Sequence, residues 1–117
     1  MALARLVSST ITAELTKGQV MNLKRIRRPT GPGEILRDDF LRPMNITQKR
    51  LADHLGIDIK TVNRIINGRS PVTPELAIML GFTFGTTPLL WINAQLAVDM
   101  FDAEKNLKHR PGRMKAG

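Results

Sequence analysis

Apolar residues recur at helical spacing through five stretches of this chain, separated by short Gly- and Pro-bearing connections. The clearest pair lies in TQKRLADHLGIDIKTVNRIINGR, residues 47–69. Leu51, Ala52, Leu55, Ile57, Val62 and Ile65 are spaced to face one shared core. Thr47 and Asp58 stand where N-caps belong, which predicts helices over 48–55 and 59–67. Gly56 falls between them, where a sharp turn needs a residue that tolerates positive φ. Upstream, Pro32 suits a first helical turn, and Ile35, Leu36, Phe40 and Leu41 give a stripe that Pro43 stops. Downstream, Thr73-Pro74-Glu75 starts a fourth helix carrying Leu76, Ala77, Met79 and Leu80, expected to end near Gly81. Phe82 and Phe84 are then expected in the core under the following loop. Thr87-Pro88 repeats the start signal for a fifth helix reaching about Asn106. The expected fold is all-α, with five helices.

The fifth helix has an unusual wheel. Gln95, Asp99 and Asp102 gather on one narrow side, and apolar residues fill most of the rest. That is wider than the ~100° stripe of an ordinary surface helix. Part of this face is expected to form a homodimer interface through Leu90, Asn93, Ala94, Ala97 and Phe101. The alternative is a helix enclosed within the monomer. Asn93, alone amid the apolar face, fits either a cross-dimer hydrogen bond that fixes register or a bond to a nearby carbonyl.

The third helix carries the candidate chemistry. Val62, Ile65 and Ile66 lie on one side, and Lys60, Asn63, Arg64 and Asn67 on the other. That outer face has an ammonium, a guanidinium and two amides but no carboxylate. These groups read base edges and phosphates. A plain helical hairpin with a solvated polar face is the competing reading.

Charge sharpens the picture. The formal net charge of +8 suggests an anionic partner, but it is unevenly placed. Residues 1–30 hold six Lys/Arg and one acid, residues 31–104 seven and nine, and residues 105–117 five and none. The folded middle is slightly acidic, so nucleic-acid binding there must come from placement rather than bulk charge. The chain divides into an N-terminal extension and basic arm (1–29), a folded unit (30–107) and a basic tail (108–117) expected to fray. Met21 opens MNLKRIRRPTGPGE, which looks like a protein start, and residues 1–20 are read as either an upstream extension or a flexible arm. Lys24, Arg25, Arg27 and Arg28 suit either an arm on DNA or a solvated tail.

Other chemistry is poorly supplied. There is no Cys and there are only two His, so thiolate chemistry, disulfides and metal sites find few ligands. Asp38-Asp39 lacks an evident partner base, and His54 reads as an exposed polar residue. No apolar run approaches ~18 residues. A non-enzymatic, cytoplasmic protein without cofactor or small-molecule ligand is expected.

The stretch from Gln48 to Ile65, with Ala52, Gly56 and the trailing Asn67-Gly68-Arg69, resembles the helix-turn-helix of phage-repressor-like (XRE/Cro-type) DNA-binding proteins. The wider pattern of RRPTGPGEIL, TPELAIML and TTPLLWINAQLAVDM is similar to HigA-type antitoxins within that group. Lys49 is expected to help position the DNA backbone, and the resemblance implies that Gln48 anchors on phosphate and that Lys60 and Arg64 read bases. It places Ile59 and Thr61 beside them, and Asn67 and Arg69 on the backbone beyond the groove. Ile59 departs from the polar residue often found there. The resemblance further implies a homodimer that represses its own operon on double-stranded operator DNA. The implied protein partner is a HigB-type toxin of RelE-like fold that cuts messenger RNA. A solitary repressor would share every DNA-facing residue, so that reading stays open.

Overall fold

The computed structural model describes residues 27–117, and the regular structure among them is entirely helical. Helix α1 (Pro32–Ile35) runs without a break into a π-helical turn, Leu36–Leu41. Then come α2 (Gln48–Leu55), α3 (Ile59–Ile66), α4 (Pro74–Phe84) and α5 (Pro88–Asn106). The expectations for residues 1–26, including the Met21 start and the Lys24–Arg25 part of the basic cluster, lie outside the described residues.

The π turn was not foreseen, and it has a packing reason. Residues five apart on an α-helix point about 140° apart. Widening to i→i+5 bonding, as in the 3.0 Å bond from Arg42 N–H to Arg37 O, brings them toward one face. Leu36 and Leu41 are both buried as a result.

Side-chain caps set three helix starts. Thr47 Oγ1 accepts from Arg50 N–H at 3.1 Å, Asp58 Oδ1 from Lys60 N–H at 3.0 Å, and Thr73 Oγ1 from Leu76 N–H at 3.2 Å. Each satisfies an amide that no helical carbonyl reaches. Thr87 takes the N-cap position of α5 but makes no such bond.

The core gathers on Trp91, which is fully buried with Leu51, Val62 and Leu80. Leu55 and Ile57 pack against this cluster half-buried. The Trp91 ring lies 5.3 Å from Phe40 and 6.4 Å from Phe84, and its Nε1–H donates to Thr86 Oγ1 at 2.8 Å. The indole thus brings a large apolar surface into the core without stranding a donor.

Helix α4 corrects two expectations. It does not end near Gly81 but continues to Phe84, capped by Gly85 at φ 70°. Two residues apart on a helix point about 200° apart, so Phe82 and Phe84 cannot share a core face. Phe84 packs on Phe40, whereas Phe82 is 87% exposed.

Helix α5 also pins the loop before α4. Gln95 Oε1 accepts from Val72 N–H at 2.9 Å, and its Nε2–H donates to Asp99 at 2.9 Å. In the C-terminal tail, Arg110 folds back to pair with Glu104 at 2.6 Å.

Gly33 joins α1 to α3. A Cβ on it would lie 2.7 Å from Ile66 O and closer still to Ile65 O, both backbone atoms that cannot rotate away. Gly33→Ala should therefore cost about 1–3 kcal/mol by overpacking. Gly31→Ala, whose Cβ would meet Val98 Cγ1 at an ordinary 3.7 Å, should cost less, about 0.5 kcal/mol from the poorer N-cap. Thermal unfolding of both variants checks this. Equal losses would show that the close approach is not the constraint.

Candidate nucleic-acid interface

Helices α2 and α3 are joined by a three-residue turn whose geometry is set locally. Gly56, at φ 70°, closes α2: its N–H donates to Asp53 O at 3.3 Å and the Ile57 N–H to Ala52 O at 3.0 Å. Helix α3 ends in the same way, with Gly68 N–H on Ile65 O at 3.1 Å and Arg69 N–H on Arg64 O at 2.8 Å. This paired-bond C-cap fixes the path of the chain just beyond the helix. Arg69 is thereby held at a set distance from Arg64 by backbone.

With Val62, Ile65 and Ile66 buried, α3 has one face turned away from the protein. At about 100° per residue, Lys60, Arg64 and Asn67 span roughly 60° of arc directly opposite that core face. All three are exposed. Lys60, Arg64 and Arg69 form no ion pair among the described residues. Lys49, by contrast, pairs with Asp53 at 3.5 Å one turn along α2. Both groups are well exposed, so that pair is weak and exchangeable.

The other predicted residues flank this row. Ile59, the first residue of α3, is 43% exposed, and Thr61 is exposed on the opposite shoulder. Asn63 leans toward α2, where its Nδ2–H donates to Gln48 Oε1 at 3.2 Å. Asn67 Nδ2–H in turn donates to Asn63 Oδ1 at 3.1 Å. The structure therefore brings Gln48, Asn63 and Asn67 into one hydrogen-bonded set, a connection between the helices that the wheel of α3 alone does not show.

Arg42 and Asn45 went unassigned in the sequence. They share a shallow groove with Arg37, Thr47 and Gln48 at the N-terminus of α2. A basic residue five positions before the Thr47 cap was the available signal. Arg42 reaches Asp38 at 3.2 Å, and Arg37 binds the same carboxylate at 2.8 Å. The hydrogen bond from Arg37 holds the Asp38 carboxyl below the usual carboxylate range. His54 and Asp39 are exposed, as expected of solvated positions. No group of His and carboxylates able to hold a metal occurs among the described residues.

The N-terminal basic cluster divides at Arg28. Its Nε–H and Nη2–H donate to the two carboxylate oxygens of Asp102 at 3.1 and 3.0 Å, while Arg27 is exposed. Arg28 is thus held on α5.

On α5, Leu90 and Asn93 are exposed, and Ala94, Ala97 and Phe101 are half-buried. The most exposed apolar side chains of α5 lie beside that set: Leu89 at 62%, Leu96 at 54% and Met100 at 61%. The described residues leave this side of α5 uncovered. No helix among the described residues is long and apolar enough to cross a membrane.

Two capped helices, a left-handed Gly turn and an outward cationic row define a helix-turn-helix domain of the XRE/Cro type, and the helix-turn-helix family profile matches residues 39–91. Within that class, the chain belongs to the HigA-type antitoxin family. Antitoxin HigA-1 of Vibrio cholerae is 46% identical over 79 residues, which cover 68% of this chain and 74% of that protein. The structure of antitoxin GraA in complex with its operator superposes with a TM-score of 0.69 at 36% identity, covering 77% of this chain and 95% of GraA. Pseudomonas aeruginosa antitoxin HigA, solved with the higBA promoter, gives 0.67 at 33% identity, covering 75% of this chain and all of the other.

The Arg28 contact makes stability depend on pH. Hydrogen bonding to Arg28 holds the Asp102 carboxyl below its ordinary 3.8. A carboxylate depressed on folding adds stability above its unfolded pKa and loses it as pH falls through the folded value. Asp102→Asn should therefore melt below the wild type near neutral pH, and the gap should narrow as pH falls below 3.8. A gap that stays constant across that range would remove the ion pair as its source.

Proposed function

We propose that this protein is an operator-binding antitoxin that represses its own operon and neutralises a HigB/RelE-like toxin. The observation that carries the DNA half is the exposed row of Lys60, Arg64 and Asn67, its two cations without a carboxylate partner among the described residues, opposite the buried face of a helix capped at both ends. The operator complexes of GraA and of the P. aeruginosa HigA support it. Membership of the antitoxin family supports the toxin half.

In this reading α3 enters the major groove while α2 lies across the backbone. Lys60 and Arg64 meet base edges; the guanidinium can span both acceptors of a guanine. Ile59 and Thr61 border them. Gln48, Lys49, Asn67 and Arg69 hold phosphates and fix the register. Because Lys49 gives up only a weak surface pair with Asp53, it can turn to a phosphate at little cost.

Two copies are needed to span a pseudo-palindromic site, with recognition helices about 34 Å apart. The exposed α5 face, with Leu90 and Asn93 at its edge and Ala94, Ala97 and Phe101 beside it, is the proposed joint. Leu89, Asn93, Leu96 and Met100 follow one another at spacings of four, three and four residues, the repeat of a helix-on-helix seam. Leu96→Glu should shift the protein to monomer in sedimentation equilibrium. A dimer that survives it would move the joint off this face.

The DNA reading is tested on the duplex upstream of the protein's own coding sequence, against a scrambled duplex. Arg64→Ala should weaken specific binding by about 1–3 kcal/mol and nonspecific binding by less. Equal losses would make Arg64 a phosphate contact. Affinity should fall steeply with salt, and a flat response would argue against DNA as the ligand. A pull-down from native cells tests the toxin half. A small protein recovered at fixed ratio, and toxic when expressed alone, is the expected result. Recovery of this chain alone would make it a solitary repressor.

A further inference from the structure

Asn63 lies on the shoulder of α3 nearest α2, away from the centre of the outward row. Both ends of its side chain are engaged within the protein. Its Oδ1 accepts from Asn67 Nδ2–H at 3.1 Å, and its Nδ2–H donates to Gln48 Oε1 at 3.2 Å. The three amides form a relay with one direction of donation, from the end of α3 to the start of α2.

That direction has a chemical consequence. A primary amide has a carbonyl on one arm and an NH2 on the other. With its carbonyl turned to Asn63, Gln48 keeps its NH2 for the opposite side. Phosphate oxygens accept hydrogen bonds and donate none, so only the NH2 end of Gln48 can serve a DNA backbone. The reverse orientation would aim a carbonyl oxygen at a phosphate. The amide is the first residue of an eight-residue helix, capped by Thr47, so its backbone is already fixed. Only the side-chain torsions remain to be set.

We infer that Asn63 is a positioning residue rather than a base contact: it orients Gln48 so that the Nε2 amide is presented to a DNA phosphate, and Asn67 holds Asn63 in the orientation that does so. This rests on the DNA-binding reading above and assigns Asn63 a different part in it from Lys60 and Arg64. It also links the helix that lies on the backbone to the helix in the groove. A phosphate contact at Gln48 and the register of α3 are then set together.

The test is a double-mutant cycle in the full-length chain. The probe is a duplex that the wild type selects from a random-sequence pool. Asn63→Ala and Gln48→Ala should each weaken binding roughly tenfold, about the worth of one hydrogen bond. The double variant should lose about the same tenfold, because Asn63 acts only through Gln48. The selected sequence should be unchanged in Asn63→Ala. In the free protein, Asn63→Ala should shift the Gln48 side-chain amide signal in 1H–15N spectra while the thermal midpoint stays put.

A roughly hundredfold loss in the double variant, or a changed base preference at one position in Asn63→Ala, would make Asn63 a direct contact and overturn the relay with the DNA reading intact. A lowered thermal midpoint with an unmoved Gln48 signal would make Asn63 a purely structural residue and also overturn it. Failure of the wild type to select any duplex would overturn both readings.

Discussion

The seating of α3 against the start of α1 is the constraint on which the rest of this structure depends. Gly33 lies so close to the carbonyls of Ile65 and Ile66 that no side chain fits between them. A side-chain contact could slacken by rotamer change; a backbone-to-backbone contact cannot. The last turn of α3 therefore has one position relative to α1. The π-helical turn that continues α1 is in turn held where Phe40 meets Trp91 of α5. Helix α3, proposed to face DNA, is thus fixed, through α1, to the helix proposed to join two copies. In the proposed dimer, two such helices address two half-sites only if that path is stiff.

Within this frame, short-range bonds set the finer geometry. The caps at Thr47 and Asp58 and the paired C-cap bonds at Gly56 and Gly68 place the ends of α2 and α3. They need no partner from elsewhere in the fold. The polar surface then divides by what each side chain already holds. Arg28, Arg37 and Arg42 engage carboxylates, and Lys49 holds one loosely. Lys60, Arg64 and Arg69 hold none among the described residues. A slightly acidic folded unit can in this way present a locally cationic face.

The helix-turn-helix was legible because its signals are local. A cap, a left-handed glycine and an apolar spacing of three or four residues all act within one or two turns of chain. Those signals placed α2 as found and α3 to within its last residue. The row of Lys60, Arg64 and Asn67 followed from the wheel. The end of α4 was misread because Gly81 looks like a stop. It lies inside the helix, where a Cβ would come 2.9 Å from Thr86 O, so its small size serves the fold-back into α5. Phe82 was placed inside for the same reason and lies outside.

By itself, then, the sequence determined the helices, their capped starts, the cationic face of α3 and the family pattern, since each depends on residues close together in the chain. The tertiary structure decided what depends on approach between distant segments. It turned Asn63 toward Gln48, committed Arg28 to Asp102, set Gln95 on the Val72 amide and widened the turn after α1 so that Leu36 and Leu41 share a face. A helical wheel gives the direction of a side chain but not what stands there. Only packing brings residues 15, 23 or 74 positions apart within hydrogen-bond reach.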